Sequence, residues 1–418
     1  MPKVSEAGMA SAKTAVDLAI GLAGQMTLWL GFMGVLREAG LMSMLARVLK
    51  PLMVRLFPEV PPDHPAMGAM IMNFAANMLG LANAATPFGL KAMSELDKLN
   101  PRRGVATNAM ALFLAINTSG LAVLALGAVA VRATVGSRDA AGIILPSFLA
   151  TSCTCVFAIF FCKLTEKMKA FAVESVPETP SEVPSTVARP GDAAAMQRAE
   201  EIAAPRAPAQ GPRLWVVVAV FGVLAAAIVR HFLKAPPELS RFEVARSMLS
   251  EWLLPTLMLA IVTFSMGRKV KVYETFVASA KEGFQIAVTI IPFLVAILVA
   301  IGMFRASGAM DVIVAALGPY TRSVGFPPEA LPMALMKPLS GSGALAVMIE
   351  TMKSYGPDSF IGYLVSVLNG SMETTFYVLA VYYGSIQVRV LRHTVVTCLA
   401  ADLAGIIGAT AITHLFFG

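Results

Sequence analysis

Apolar residues along this chain are gathered in long uncharged blocks. Residues 18–36, 65–90, 105–131, 141–162 and 283–304 contain no charged side chain. The block 214–229 sits between Arg213 and Arg230, and 252–267 ends on Arg268, Lys269 and Lys271. The last block, 394–418, is interrupted only by Asp402 and His414. A helix of about 20 apolar residues spans the hydrocarbon core of a bilayer. A soluble protein buries one or two such runs. This many predict an all-α, polytopic helical membrane protein.

Two blocks are broken in similar places. Asn73, Asn77, Gly80, Asn83 and Thr86-Pro87 interrupt the first. Lys337-Pro338-Leu339-Ser340-Gly341-Ser342-Gly343 interrupts an apolar run from Ala330 to Met348. Unwound backbone cannot face lipid and must line protein or a wet cavity. Breaks at corresponding places of two repeats point to broken or re-entrant helices and to a binding site.

The repeat is legible in the residues. Ser11-Ala12-Lys13 stands against Ser279-Ala280-Lys281, Gly34 to Met42 against Gly302 to Met310, and Pro51 against Pro319, all 268 residues apart. Phe57-Pro58 matches Phe326-Pro327 with a slip of one residue, and Ile116-Asn117-Thr118 faces Leu368-Asn369-Gly370. An internal duplication is the reading. Between the halves, residues 174–213 hold seven prolines, many alanines, mixed charge and no aromatic residue. Such a segment buries too little to offset its chain entropy and is expected to be disordered or extended. The expected organisation is a first half at 1–171, a Pro/Ala-rich cytoplasmic linker at 172–211, an extra transmembrane helix with its connection at 212–244, and a second half at 245–418.

Composition agrees with the blocks. Of 418 residues, 57% are hydrophobic and 14% charged, against roughly 25% charged in soluble domains. The mean hydropathy is +0.71. The net charge of +7 fits basic residues flanking cytoplasmic helix ends. No basic stripe with interleaved aromatics suggests nucleic acid. Lys163, Lys167 and Lys169 before the linker, with Arg268, Lys269 and Lys271 after 252–267, place the linker in the cytoplasm. No secretory signal peptide is visible, and the first membrane segment is expected to serve as its own insertion signal.

Few polar groups lie inside the blocks, and each has two readings. A lysine at mid-membrane costs roughly 2.5–3.5 kcal/mol on insertion scales. Lys337 therefore either anchors a ligand or snorkels from the mouth of a re-entrant hairpin. Glu373 is its natural partner, a proton or cation site, or half of a structural ion pair. Asp402 is a functional carboxylate or interhelical glue. Asn73 and Asn77 share a helix face, and amides offer both donors and acceptors to a neutral polar ligand. Helix-to-helix hydrogen bonding is the plain alternative, for them as for Asn117, Thr118 and Ser119. The candidate substrate-binding set is Asn73, Asn77, Asn83, Thr86, Asn117, Lys337, Ser340, Ser342, Asn369, Ser371, Glu373 and Thr374.

Other candidates fall away. His64, beside Asp63, reads as a solvated capping turn, and His231, His393 and His414 stand alone. Cys153, Cys155, Cys162 and Cys398 read as small buried thiols rather than a metal site. No nucleophile, phosphate-loop or metalloprotease motif occurs. Neither an enzyme nor a cofactor or metal is expected.

The motifs also carry a resemblance. The run Asp63-His64-Pro65-Ala66-Met67-Gly68 through Asn73, Asn77-Met78-Leu79-Gly80-Leu81-Ala82-Asn83-Ala84-Ala85-Thr86-Pro87, and Phe113 to Thr118 resemble the spore maturation protein A family. Tyr273-Glu274-Thr275-Phe276 to Gly283, Phe304 to Ala309, Pro338 to Ser342, Tyr355 to Gly362 and Thr374 to Leu379 resemble the spore maturation protein B family. The resemblance covers nearly everything except the linker and the helix at 212–234, as a fusion of the two would. Both families are similar to the nucleoside-recognition, or gate, domain group. That likeness implies kinship with the gate regions of nucleoside transporters and ferrous-iron permeases. There are two departures. The hydrophobic helix that usually precedes the amphipathic start is missing, and a helix is gained at 212–234.

The expectation is a multi-pass protein of the bacterial cytoplasmic membrane, permease-like, for a small polar solute or ion. The alternative is a structural or regulatory membrane component of envelope or spore maturation. Expected partners are the lipid bilayer and that solute or ion, with no nucleic acid. A homo-oligomer is compatible with this reading.

Overall fold

The computed structural model describes residues 2–80, 82–171 and 241–418, with scattered positions between 219 and 230. The expected linker and most of the expected helix at 212–244, with His231, lie outside the described residues. Among the described residues the chain is helical, with an isolated bridge between Val105 and Val390.

The first half runs α1 (Pro2–Glu38), α2 (Leu41–Leu56), α3 (Pro65–Met78), α4 (Ala82–Lys98), α5 (Asn108–Thr118), α6 (Leu126–Thr134) and α7 (Ile144–Thr165). A separate helix, α8 (Arg241–Gly267), precedes the second half. There the same series recurs as α9 (Val272–Ala306), α10 (Ala309–Ser323), α11 (Leu331–Met336), α12 (Gly341–Tyr355), α13 (Phe360–Ser371), α14 (Thr375–Ser385) and α15 (Thr394–Phe417). Among the described residues, four segments are long and apolar enough to cross a bilayer: Val4–Glu38, Ala141–Thr165, Phe360–Ser385 and Thr394–Phe417. The protein is an all-α, polytopic membrane protein.

Matching residues adopt matching conformations. Gly40 (φ 81°) and Gly308 (φ 79°), 268 residues apart, are left-handed and open α2 and α10. That region suits a residue without Cβ. Pro51 and Pro319 both sit inside those helices.

The two halves are related by an inversion. α1 and α9 pack antiparallel: Gly8 meets Met303, Gly283 meets Met26 and Thr27, and Gly31 meets Phe276. Their closest contacts are reciprocal. A methyl group added to Gly34 would collide with the Ser279 side chain, and one added to Gly302 with that of Ser11. Residue i touching j′ while j touches i′ is the signature of a two-fold contact. α7 and α15 pair antiparallel as well. The Thr165 and Thr397 hydroxyls lie 3.1 Å apart, and a Cβ on Gly405 would stand 3.2 Å from Thr154 Oγ1. The pseudo-two-fold axis therefore lies in the membrane plane.

One face of the molecule gathers the loops 99–107 and 386–393 with the end of α7. Ala106 N–H donates to the Val390 carbonyl at 2.9 Å. The Arg392 guanidinium donates to the Phe171 and Ala106 carbonyls and to Asn108 Oδ1, at 2.8, 3.0 and 2.9 Å. Lys163, Lys167 and Lys169 at the end of α7 make this face basic. The opposite face is keyed by Arg132 of α6, which is fully buried. It pairs with Asp358 at 2.9 Å and donates to the Pro357 carbonyl at 2.7 Å and Ser366 Oγ at 3.2 Å. Its guanidinium lies over the Tyr363 ring, 4.2 Å from the centroid. Burial opposes ionisation of Asp358, but Ser137 Oγ, the Arg138 N–H and Arg132 outweigh it and hold the carboxyl below its ordinary range.

Neither half owns its core. One cluster joins Leu18, Leu22 and Val129 to Leu294, Met348 and Leu364; another joins Phe74 and Phe113 to Tyr382 and Cys398. Cys155, Cys162 and Cys398 are buried as expected, whereas Cys153 lies exposed on α7. An α-helix buries only part of its circumference against its neighbours, and Cys153 falls on the outward side.

Two measurements test this packing. A Cβ on Gly283 would stand 2.6 Å from the Met26 carbonyl oxygen, whereas one on Gly24 would meet nothing within 4 Å. Backbone cannot yield as a side chain can, so Gly283→Ala should cost about 1–3 kcal/mol. Gly24→Ala should be neutral or stabilising by up to about 1 kcal/mol. Equal melting temperatures of the two variants in detergent would contradict the α1–α9 contact.

The second concerns His393 at the start of α15. It is fully buried, and neither ring nitrogen has a hydrogen-bond partner. Burial, then Arg392 and Lys163, push its pKa from 6.5 down to about 4. The unfolded chain takes up a proton between these values that the folded chain refuses, so stability falls as pH drops through that window. His393→Gln should flatten this part of the melting-temperature profile. Parallel profiles for the wild type and the variant would rule it out.

Candidate functional site

Four helix breaks meet at the centre of the fold. α3 and α4 form a hairpin whose two ends lie on the basic face and whose tip includes Leu79 and Gly80. α11 and α12 form the inverted hairpin from the opposite face, with its tip at 337–340. α5–α6 and α13–α14 are crossing helices unwound at 119–125 and 372–374. α13 is 12 residues long, about 18 Å at 1.5 Å per residue. α14 is 11 residues long, about 16 Å. The break between them therefore sits near mid-depth of a core about 30 Å thick.

The breaks satisfy one another. The Val123 N–H donates to the Met78 carbonyl at 3.0 Å, and the Phe376 N–H donates to the Pro338 carbonyl at 3.0 Å. In each repeat, then, the unwound crossing helix caps the hairpin tip. The two crossing helices are tied together by the Glu373 N–H donating to the Thr118 carbonyl at 3.2 Å. Gly120 lies against the Met372 backbone, where a Cβ would stand 2.8 Å from its carbonyl carbon. Gly120 also has a positive φ of 67°, so two constraints call for glycine there.

Side chains repeat the symmetry with one substitution. Asn77 donates from Nδ2 to Asn117 Oδ1 at 2.9 Å. In the second repeat Lys337 donates from Nζ to Asn369 Oδ1 at 3.1 Å and to the Asn369 carbonyl at 2.8 Å. Each pair links a hairpin tip to the last turn of the helix before the break. Lysine thus stands where the first half has an amide. Lys337 is 6% exposed. Glu373, named as its natural partner, forms no ion pair with it among the described residues. Asn369 takes that place, while Glu373 and Asp402 supply the negative charge acting on the ammonium.

The remaining candidates divide by what they touch. Asn73 is fully buried and donates to the Ala85 carbonyl at 2.8 Å and to Tyr382 Oη at 3.2 Å, stapling α3 to α4 and α14. Asn117 is buried and donates to the Phe113 carbonyl at 2.8 Å. Thr118 and Ser119 bond back to carbonyls of their own helix. These groups serve the helix-to-helix reading. Ser340 caps α12 by accepting from the Gly343 N–H at 3.1 Å, and Ser342 lies 3.4 Å from it. Thr374 is buried and Thr86 half-buried. Ser371 is buried with no partner for its hydroxyl. Glu373 is exposed in the break. Asn83 belongs to the first turn of α4, and its side chain lies outside the described residues. His64 takes the capping role, accepting from the Ala66 N–H.

Two contributors escaped the residue pattern. Tyr382 reaches Asn73 from 309 positions away, and its only trace in the sequence is Gly89, where a side chain would collide with its ring. Thr375 holds Asp402 with Oγ1 at 2.8 and 3.0 Å from the carboxylate oxygens. It is the first residue of α14, where the helix dipole favours an anion. Asp402 thus bonds α15 to α14.

Inverted repeats with hairpin tips and unwound crossing helices converging at mid-depth define a class: polytopic membrane proteins with a central polar crossing. The family profile described as "Gate: Nucleoside recognition" matches residues 19–134 and 287–389. Together these are just over half the chain, and this protein belongs to that family. Each match starts inside the long first helix of a repeat and extends to or just past the broken crossing helix, so one family model finds both inverted copies. Part of the chain is 44% identical over 170 residues to spore maturation protein B of Bacillus subtilis (strain 168), covering 41% of this chain and 96% of that protein. Part is 42% identical over 156 residues to spore maturation protein A of the same organism, covering 37% of this chain and 80% of that one. The chain therefore has the make-up of a fusion. No solved structure matches it.

Asn73 and Asn77 provide a direct test of the division of roles. Asn73→Ala strands the Ala85 carbonyl and Tyr382 hydroxyl in a buried place and should cost about 1–3 kcal/mol. Asn77→Ala, at a half-buried position, should cost less than half as much. Thermal unfolding of the two variants in the same detergent checks this, and a costlier Asn77→Ala would reverse the assignment.

Proposed function

We propose that this protein is a permease-like protein of the bacterial cytoplasmic membrane that moves a small polar solute or ion through its central crossing. The convergence of four helix breaks on the pseudo-two-fold axis carries this reading. Two inverted copies can rock about a shared site and open it to either face in turn. The polar groups there suit a small solute that both donates and accepts. Asn77 Oδ1, the Asn369 amide, the Ser342 and Ser371 hydroxyls and the Glu373 carboxylate retain capacity beyond their internal bonds. Lys337 and Glu373 add one charge of each sign. The basic face is read as cytoplasmic, which puts the linker in the cytoplasm. No catalytic role is assigned to any residue.

One observation favours the other reading, a structural or regulatory component of envelope or spore maturation. Asn73 and Asn117, the most buried amides, are consumed by internal bonds, as in a purely architectural core.

Thermal unfolding of the purified protein against nucleosides, amino acids, dicarboxylates and divalent cations separates the two. A ligand that binds the folded state at about 100 times its Kd adds about 2.7 kcal/mol, several degrees of melting temperature. The expected result is a shift with at least one class that disappears in Lys337→Met and in Asn77→Ala. A well-folded sample that shifts with none of them, or uptake that persists in a Lys337→Met/Glu373→Gln double variant, would turn the reading to the architectural one.

A further inference from the structure

The contacts between the halves carry an inference that does not depend on transport. We propose that the two halves are complete partners for each other. Each presents a docking surface that fits the other half as a separate chain, and the covalent connection through residues 172–211 is dispensable for the pairing.

The surface has three levels. On the basic face, Arg392 of the second half clasps the Phe171 and Ala106 carbonyls of the first, and the Arg389 N–H donates to the Gly104 carbonyl at 2.8 Å. At mid-depth the Glu373 N–H meets the Thr118 carbonyl, and Gly120 seats against Met372. On the opposite face the buried Arg132 enters the turn before α13, pairing with Asp358 and the Pro357 carbonyl under the Tyr363 ring. Along the whole depth, Gly34 and Gly302 bring α1 and α9 together with the serines of the other repeat. All these groups lie outside 172–211.

Physical reasons favour a pair over two domains side by side. Lipid tails supply no hydrophobic drive between helices, so close approach at small residues and hydrogen bonds must hold them. Hydrogen bonds cross at all three levels, and glycine contacts add to them at mid-depth and along α1 and α9. Each half alone would leave apolar core residues without their facing neighbours, and a guanidinium without its anion. Separate relatives matching different parts of this chain fit a surface that independent chains can form.

The test keeps the whole protein. A protease site is inserted between Pro190 and Gly191, and the purified protein is cut in mild detergent. The fragments are expected to co-elute on size exclusion, each retaining the other on an affinity tag, with the melting temperature of the uncut protein. Separation of the fragments under conditions where the uncut chain is monodisperse would overturn the proposal. A second arm uses Arg132→Gln with the same site. A tether supplies a high effective concentration, so the uncut variant should stay monodisperse, while the cut variant should retain its partner at least tenfold less than cut wild type. Equal retention would overturn the part assigned to Arg132.

Discussion

A peptide group freed from its helix inside a bilayer must find a partner in the protein, because the hydrocarbon offers none. This chain frees such groups at four places near mid-depth. It satisfies them by bringing the four places together. The Met78 and Pro338 carbonyls, at the two hairpin tips, accept from the unwound crossing helix of the same repeat. The Thr118 carbonyl of one crossing helix accepts from Glu373 of the other. The breaks are thus conditional on one another, and the fold around them follows from the need to keep them in register.

That register is held at the periphery by small residues and at the faces by charge. Glycines on α1 and α9 let the two long helices approach until side chains of one fill the space that a Cβ would take on the other. The reciprocity of Gly34 with Ser279 and Gly302 with Ser11 keeps the halves on their axis. Arg132 and Arg392 then close the two faces, one from α6 and one from the loop 386–393, each donating to backbone carbonyls of the other half. A guanidinium suits this work because its planar fork of donors reaches several acceptors at once.

Symmetry of the backbone makes the asymmetry of the side chains informative. The pairs Asn77–Asn117 and Lys337–Asn369 occupy corresponding places, yet one is neutral and the other charged. A duplicated frame has been kept while one position has diverged toward a costly residue. Asp402, bonded to the first residue of α14, and Glu373, in the break itself, lie in the same half as the lysine, and neither forms an ion pair with it among the described residues. The charged groups accordingly cluster in the second half and the amide ladder in the first.

Amino-acid order alone determined the membrane class, the apolar segments, the Pro/Ala-rich separator and the duplication. These are local properties: hydropathy sums over neighbours, and Gly40 with Gly308 or Pro51 with Pro319 mark equal turns and bends wherever they stand. The broken segments were legible for the same reason, since Gly80, Pro338 and the Ser-Gly run declare themselves within a few residues. The inversion of the repeats, the replacement of Glu373 by Asn369 beside Lys337, the reach of Tyr382 to Asn73 and the lock at Arg132 were decided only by tertiary structure. Each joins residues tens to hundreds of positions apart, and the pairing of such residues depends on the direction and depth of helices in space. Hydropathy is blind to direction: a helix reads equally apolar from either end.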